Sequence, residues 1–157
     1  MDIAALIEQY AAGPQVLERA VAGMTPEQLH ARPIAGKWTT LEVVCHLADF
    51  EPIYLDRMKR VIAEDEPNMF GGDPDVFAAR LFYDKRDLRE ELALIASCRA
   101  HMTRILRMLP PEAFERKGIH NEAGPLTLGE LLKRVANHLP HHAKFIDEKW
   151  AALKGKV

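Results

Sequence analysis

Apolar residues recur at helical spacing in four long stretches of the chain, and the segments between them are rich in proline, glycine and acidic residues. The first stretch runs from about Ile3 to Ala22, and Gly13-Pro14 is expected to kink or restart that helix because proline removes a backbone donor. Thr25-Pro26-Glu27 reads as an N-cap followed by proline in the first turn, a short helix ahead of the loop from Arg32-Pro33 to Gly36. The second stretch begins at Thr39 or Thr40, where a hydroxyl can cap the first turn. Its Leu41, Val44, Cys45, Ala48, Leu55, Met58 and Ile62 form one stripe that ends near Glu64. Turn signals dominate from Asp65 to Asp84, with a short helix predicted around Asp75 to Arg80, and so long a connection implies a crossover or a lid over a pocket. The third stretch, about Lys85 to Leu109, stops at Pro110-Pro111 and carries Leu88, Leu92, Ile95, Met102, Leu106 and Leu109 on one face. A loop containing Gly118 and Gly124-Pro125 leads to Thr127, whose third following residue is Glu130, the pattern of a capping box. The last helix is predicted to run to about Leu153. With no alternating strand pattern, the expected fold class is all-α, a four-helix bundle occupying 1–157 as one domain, with any site on facing helices in its core.

Composition narrows the function classes. At 157 residues the chain can bury a core without disulfides or a structural metal, so a bound ion would serve function and not act as a staple. The formal net charge of −2 provides no broad basic field, which argues against nucleic acid as a partner. No apolar run approaches the roughly 20 residues needed to span a bilayer, and Met1-Asp2-Ile3 lacks the basic stretch of a secretory signal, so no membrane association and a cytoplasmic location are expected. Cys45 and Cys98 are far apart, have no Cys-x-x-Cys spacing and lie among apolar helical neighbours, which reads as two reduced core residues.

The histidines change the picture. Of seven, three fall at His138, His141 and His142. Residues four apart on a helix share one face, so His138 and His142 can direct both imidazoles at a single ion. Their face continues through Leu131, Val135 and Ile146, whereas His141 shares its side with Arg134, Asn137, Lys144 and Glu148 and is expected to face solvent. Two stacked imidazoles on an inward face each bring a nitrogen that must find a partner, and a shared metal meets that need. A satisfied core histidine beside a crevice-facing one is the alternative. His46, one turn after Glu42 in the second helix and on a mixed face with Asp49, Phe50 and Ile53, is the best third ligand. His30, His101 and His120 have weaker claims, His120 as a residue at the mouth of a pocket. No dinucleotide-binding, P-loop, Gly-x-Ser-x-Gly or His-Glu-x-x-His string occurs.

The string Trp38-Thr39-Thr40-Leu41-Glu42-Val43-Val44-Cys45-His46-Leu47-Ala48-Asp49, followed by Leu126-Thr127-Leu128-Gly129-Glu130-Leu131-Leu132 and then His138-Leu139-Pro140-His141-His142, resembles the DinB/YfiT-like family. The resemblance spans nearly the whole chain. It implies an up-down-down-up four-helix bundle with a long crossover between the second and third helices. It also implies a three-histidine site, and the matching ligands are His46, His138 and His142. The same resemblance implies nickel or zinc as the divalent metal, a homodimer, and in some members transfer of a low-molecular-weight thiol to a small electrophilic substrate.

Three neutral imidazoles leave a divalent ion with open positions, as in catalytic sites, and suit several ions including iron and manganese. Thiol S-transfer is the expectation the resemblance favours. A metal-dependent hydrolase and a non-catalytic binding module for a metal or small molecule stand beside it. Glu42, Asp49 and Glu130 are the acids that can orient the ligands or move protons, and Pro140 can bend the last helix between its two histidines.

Overall fold

The computed structural model describes residues 1–155. In chain order the elements are α1 (Ile3–Val21), α2 (Pro26–His30), α3 (Thr40–Ala63), β1 (Asn68–Met69), α4 (Pro74–Arg80), α5 (Leu88–Leu106), β2 (Lys117–His120), β3 (Gly124–Thr127) and α6 (Leu128–Lys154). Hydroxyl caps set the starts of both helices that carry candidate ligands. Thr39 Oγ1 accepts from Glu42 N at 3.1 Å while Glu42 Oε2 accepts from Thr39 N at 2.7 Å. Thr127 and Glu130 repeat this reciprocal arrangement at the start of α6. Asp87 caps α5 through its Arg89 and Glu90 amides, and α5 therefore begins three residues later than the apolar stripe suggested.

Side-chain pairs give the directions of the four long helices. Glu8 near the start of α1 pairs at 2.8 Å with Arg107 just past the end of α5, so these two run antiparallel. Arg86, ahead of α5, reaches Asp49 in the first half of α3, while Met58 and Val61 in its second half pack in one cluster with Met102 and Leu106. Helices α3 and α5 are therefore parallel. Ile7 packs with Leu131 and Leu132, and Leu17 with Leu139 and Ile146, so α1 and α6 are parallel as well. The result is the up-down-down-up bundle, and its parallel α3–α5 pair is the reason for the long crossover that carries β1 and α4.

One expectation is corrected. The first helix does not restart at Gly13-Pro14: α1 is continuous from Ile3 to Val21 with Pro14 inside it. The Tyr10 carbonyl that Pro14 leaves without a helical donor accepts instead from Arg99 Nη1 at 2.9 Å. The connections also hold short strands. Strands β2 and β3 form an antiparallel hairpin, and β1 from the crossover adds in parallel to make a three-stranded sheet. Two-residue and four-residue strands are too short to show an alternating pattern, and Gly118 stands where a Cβ would meet Val61 Cγ2 at 2.8 Å. The sheet ties the crossover to the α5–α6 connection, with Ile119 N donating to the Pro67 carbonyl at 2.8 Å.

Most buried apolar residues fall into two clusters along the bundle, one around Met58, Met102 and Leu132, the other around Leu17, Leu47 and Ile146, and a smaller third gathers Leu29, Leu41, Cys45 and Tyr83. Between the two larger clusters in all four helices lies a polar level holding Gly13, Glu51, Arg99 and His138. Arg99 is 1 % exposed. Its guanidinium donates to Glu51 Oε1 from Nε and Nη2 at 3.0 and 2.6 Å, and from Nη2 to the Val135 carbonyl at 2.8 Å. One arginine thus joins α1, α3 and α6, and of the candidate ligands His138 stands near its level.

Candidate metal centre

His46 lies in the second turn of α3 and is 6 % exposed. His138 and His142 stand one turn apart on α6, both half-buried, and face it across the antiparallel α3–α6 contact. The Nε2 atoms of His46 and His138 are 3.3 Å apart. One ring nitrogen from each of the three histidines falls within 4.8 Å of the others. Two nitrogens each about 2.0–2.1 Å from one tetrahedral ion stand roughly 3.3 Å apart, so the His46–His138 spacing fits a common ion. Helix α6 runs unbroken through Pro140, and the two imidazoles lie edge to face with centroids 4.8 Å apart.

Aromatic side chains wall the cluster. Trp38 and Phe50 flank His46 at 5.3 and 4.6 Å between centroids, Tyr54 meets His138 at 5.3 Å, and Phe145 meets His142 at 5.6 Å. The crossover adds Phe77 of α4 against Phe50, and a Cβ at Gly72 would touch both rings, so the segment between α3 and α5 closes over this side of the site. Such surroundings disfavour imidazolium. Burial pushes His46 down to about 4, against the opposing pull of Asp49. Burial, then His142, His46 and Arg99, push His138 down to about 2. Burial, then His46, His141 and Lys149, push His142 down to about 4. All three are neutral near pH 7 and present lone pairs, the form a metal requires.

The remaining sequence candidates lie elsewhere. His141 is exposed, as its helical side predicted. His120 sits in the β2–β3 hairpin, where its Nδ1 accepts from the amides of Glu122 and Ala123. His30 closes α2 on the surface, and His101 stands on α5 outside the cluster. None of the three acids bonds to a candidate ligand. Glu42 is held by Thr39 and by Arg32 at 2.6 Å, Asp49 by Arg86 at 2.8 Å, and Glu130 by Thr127. The Nδ1 atoms of all three histidines are buried and have no hydrogen-bond partner among the described residues.

A cleft of about 360 Å³ opens beside His142. Its wall includes Trp38, Val43, Phe145 and Lys149, a size and apolar character suited to a small molecule. The sequence reading passed over this cleft, although Phe145 and Lys149 follow His138 and His142 at helical spacing along α6. Cys45 and Cys98 are free and buried, as expected from their neighbours. Among the described residues, no helix is long and apolar enough to cross a membrane.

Comparison with known proteins supplies an independent line. The chain is 30 % identical over 133 residues to a protein of Oceanobacillus iheyensis named "Putative metal-dependent hydrolase", covering 85 % of this chain and 77 % of that one. YfiT of Bacillus subtilis strain 168, which bears the same name, is 30 % identical over 136 residues, 86 % of this chain and 76 % of its own. A solved structure, described as "YfiT from Bacillus subtilis is a probable metal-dependent hydrolase with an unusual four-helix bundle topology", superposes with a TM-score of 0.90 at 27 % identity over 97 % of this chain and 87 % of that one. The model of the DinB superfamily matches residues 9–146, a span that holds all three clustered histidines, and the chain belongs to that superfamily.

Proposed function

We propose that this protein is a divalent-metal-dependent hydrolase of small molecules, with His46, His138 and His142 as the ligands. The observation that carries the reading is the convergence of three neutral imidazoles, two with Nε2 atoms 3.3 Å apart, beside a cleft of substrate size. The names of the relatives support hydrolysis. Zinc or nickel suits the all-imidazole ligand set best, because divalent iron and manganese stand lower in the affinity order for such ligands. A divalent ion supplies Lewis acidity, polarising a substrate oxygen and easing deprotonation of water near neutral pH. The protein's own contribution is to hold three lone pairs in place, to exclude bulk water with Trp38, Phe50, Tyr54 and Phe145, and to leave an approach along the cleft.

Transfer of a low-molecular-weight thiol is the second reading. It is favoured by the fact that no carboxylate of the described residues hydrogen-bonds to the cluster, because a thiolate needs no protein base at the moment of attack.

The test is turnover of 4-nitrophenyl esters by zinc- or nickel-loaded protein, and of an aromatic electrophile with and without an added thiol. Hydrolysis predicts an ester rate that a chelator removes, that added metal restores and that His138→Ala lacks. A rate that requires the thiol and the metal moves the assignment to thiol transfer. Metal binding without any chelator-sensitive rate on either substrate class contradicts an enzyme and leaves a binding module.

A further inference from the structure

Charges buried in this protein are mostly neutralised. Glu51 and Arg99 pair with each other, and Glu91 pairs with Arg86 at 2.5 Å. Lys149 differs. It is 4 % exposed, and its Nζ donates only to the Phe145 carbonyl one turn earlier in α6, at 3.1 Å. No carboxylate of the described residues lies within ion-pair distance of that ammonium. Glu42, the nearest candidate on α3, is occupied by Thr39 and Arg32. An ammonium with a single neutral acceptor keeps two donors unfilled, and its charge is met only at longer range, by Glu148 and Glu42.

Its position says what can answer them. Lys149 follows His142 by two turns on the same face of α6, and both line the cleft, with Trp38 and Phe145 along the wall. The other charged residues there, Lys37, Asp75 and Glu148, are exposed, so solvent screens them. The buried charge on the wall is therefore positive, and it stands beyond the His142 side of the proposed metal centre.

We infer that the cleft binds small molecules carrying a carboxylate, held by the Lys149 ammonium, with an apolar body against Trp38 and Phe145 and the reactive group at the His142 end. This rests on the metal-dependent reading for the reaction, but not for the binding of the anion. A neutral substrate would leave the buried ammonium unpaired, so discrimination between acid and amide is the direct consequence.

The experiment uses Trp150→Phe protein, in which Trp38 is the sole tryptophan. Its fluorescence is titrated with phenylacetate and with phenylacetamide, both in metal-free protein and after zinc loading. The inference predicts that the acid binds tighter than the amide by about tenfold or more in the metal-free protein. It predicts that Lys149→Met removes this preference while leaving amide affinity within about twofold, and that Lys37→Met keeps it. Circular dichroism checks that the variants fold, with Lys149→Gln in reserve if the methionine variant does not. Equal binding of acid and amide overturns the inference, as does a preference that survives in Lys149→Met or disappears in Lys37→Met. A preference seen only after zinc loading also overturns it, because the carboxylate then seeks the ion and not the lysine, and the metal reading stands.

Discussion

Arg99 Nη1 lies 2.9 Å from the Tyr10 carbonyl, the helical acceptor that Pro14 deprives of its usual donor. Gly13 makes the approach possible, since a Cβ there would stand 2.3 Å from Arg99 Nη1 and 3.1 Å from its Cζ. The guanidinium cannot withdraw without abandoning Glu51 and the Val135 carbonyl. Gly13→Ala, which in an exposed helix gains about 1 kcal/mol, is therefore expected to destabilise this protein by about 1–3 kcal/mol net. Urea unfolding measures it, and a neutral or stabilising outcome contradicts the tight fit.

Arg99→Ala leaves the Glu51 carboxylate buried without its partner and is expected to cost about 3–5 kcal/mol. The double replacement Glu51→Leu with Arg99→Met removes both charges and should recover most of that loss, although Tyr10 and Val135 lose a donor. A double-mutant cycle with no coupling between the two positions contradicts the pairing.

Acid should weaken the metal-free protein through its three histidines. Each has a folded pKa below the value of about 6.5 expected in the unfolded chain: about 4 for His46 and His142, and about 2 for His138. The unfolded chain therefore binds more protons between those limits, and stability rises with pH across that window. The contribution is complete above about pH 6.5 and is lost progressively as pH falls toward 4. Unfolding free energies at a series of pH values should show the decline, with a shallower slope in His46→Gln. A flat profile between pH 7 and 5, at the precision of the experiment, contradicts buried neutral imidazoles.

Both thiols should be inert in the folded protein. Burial pushes Cys45 up to about 12, beyond the opposing pull of Arg86, and its Sγ donates to the Tyr83 carbonyl at 3.5 Å. Cys98 is raised by burial as well. With so little thiolate, alkylation by iodoacetamide at pH 8 should be slow until denaturant is added. Rapid modification of either cysteine in the native state contradicts this.

The bundle was readable from the chain because its determinants are local. The Thr39 and Thr127 caps, the apolar stripes and the His138–His142 spacing each lie within a turn or two of helix. Resemblance to the DinB/YfiT-like family supplied the helix directions, which local patterns do not encode. What was not readable depends on distant partners. Pro14 looked able to restart the helix because the donor that satisfies Tyr10 comes from position 99. The small sheet was hidden because β1 pairs with β2 across about fifty residues. In the site, His46 was chosen by its helix and by family resemblance, and the structure brings its ring to the α6 pair. Lys149 was missed because the cost of its burial becomes visible only when no acid among the described residues is found in ion-pair contact with it.

Metal content tests the central claim most directly. Protein purified without a histidine tag, then exposed to zinc or nickel and desalted, is compared with His138→Ala treated identically. The account predicts about one divalent ion per wild-type chain, lost in the variant while its helical circular dichroism remains. Wild-type protein that takes up neither ion, or a His138→Ala variant that binds as much as wild type, contradicts it.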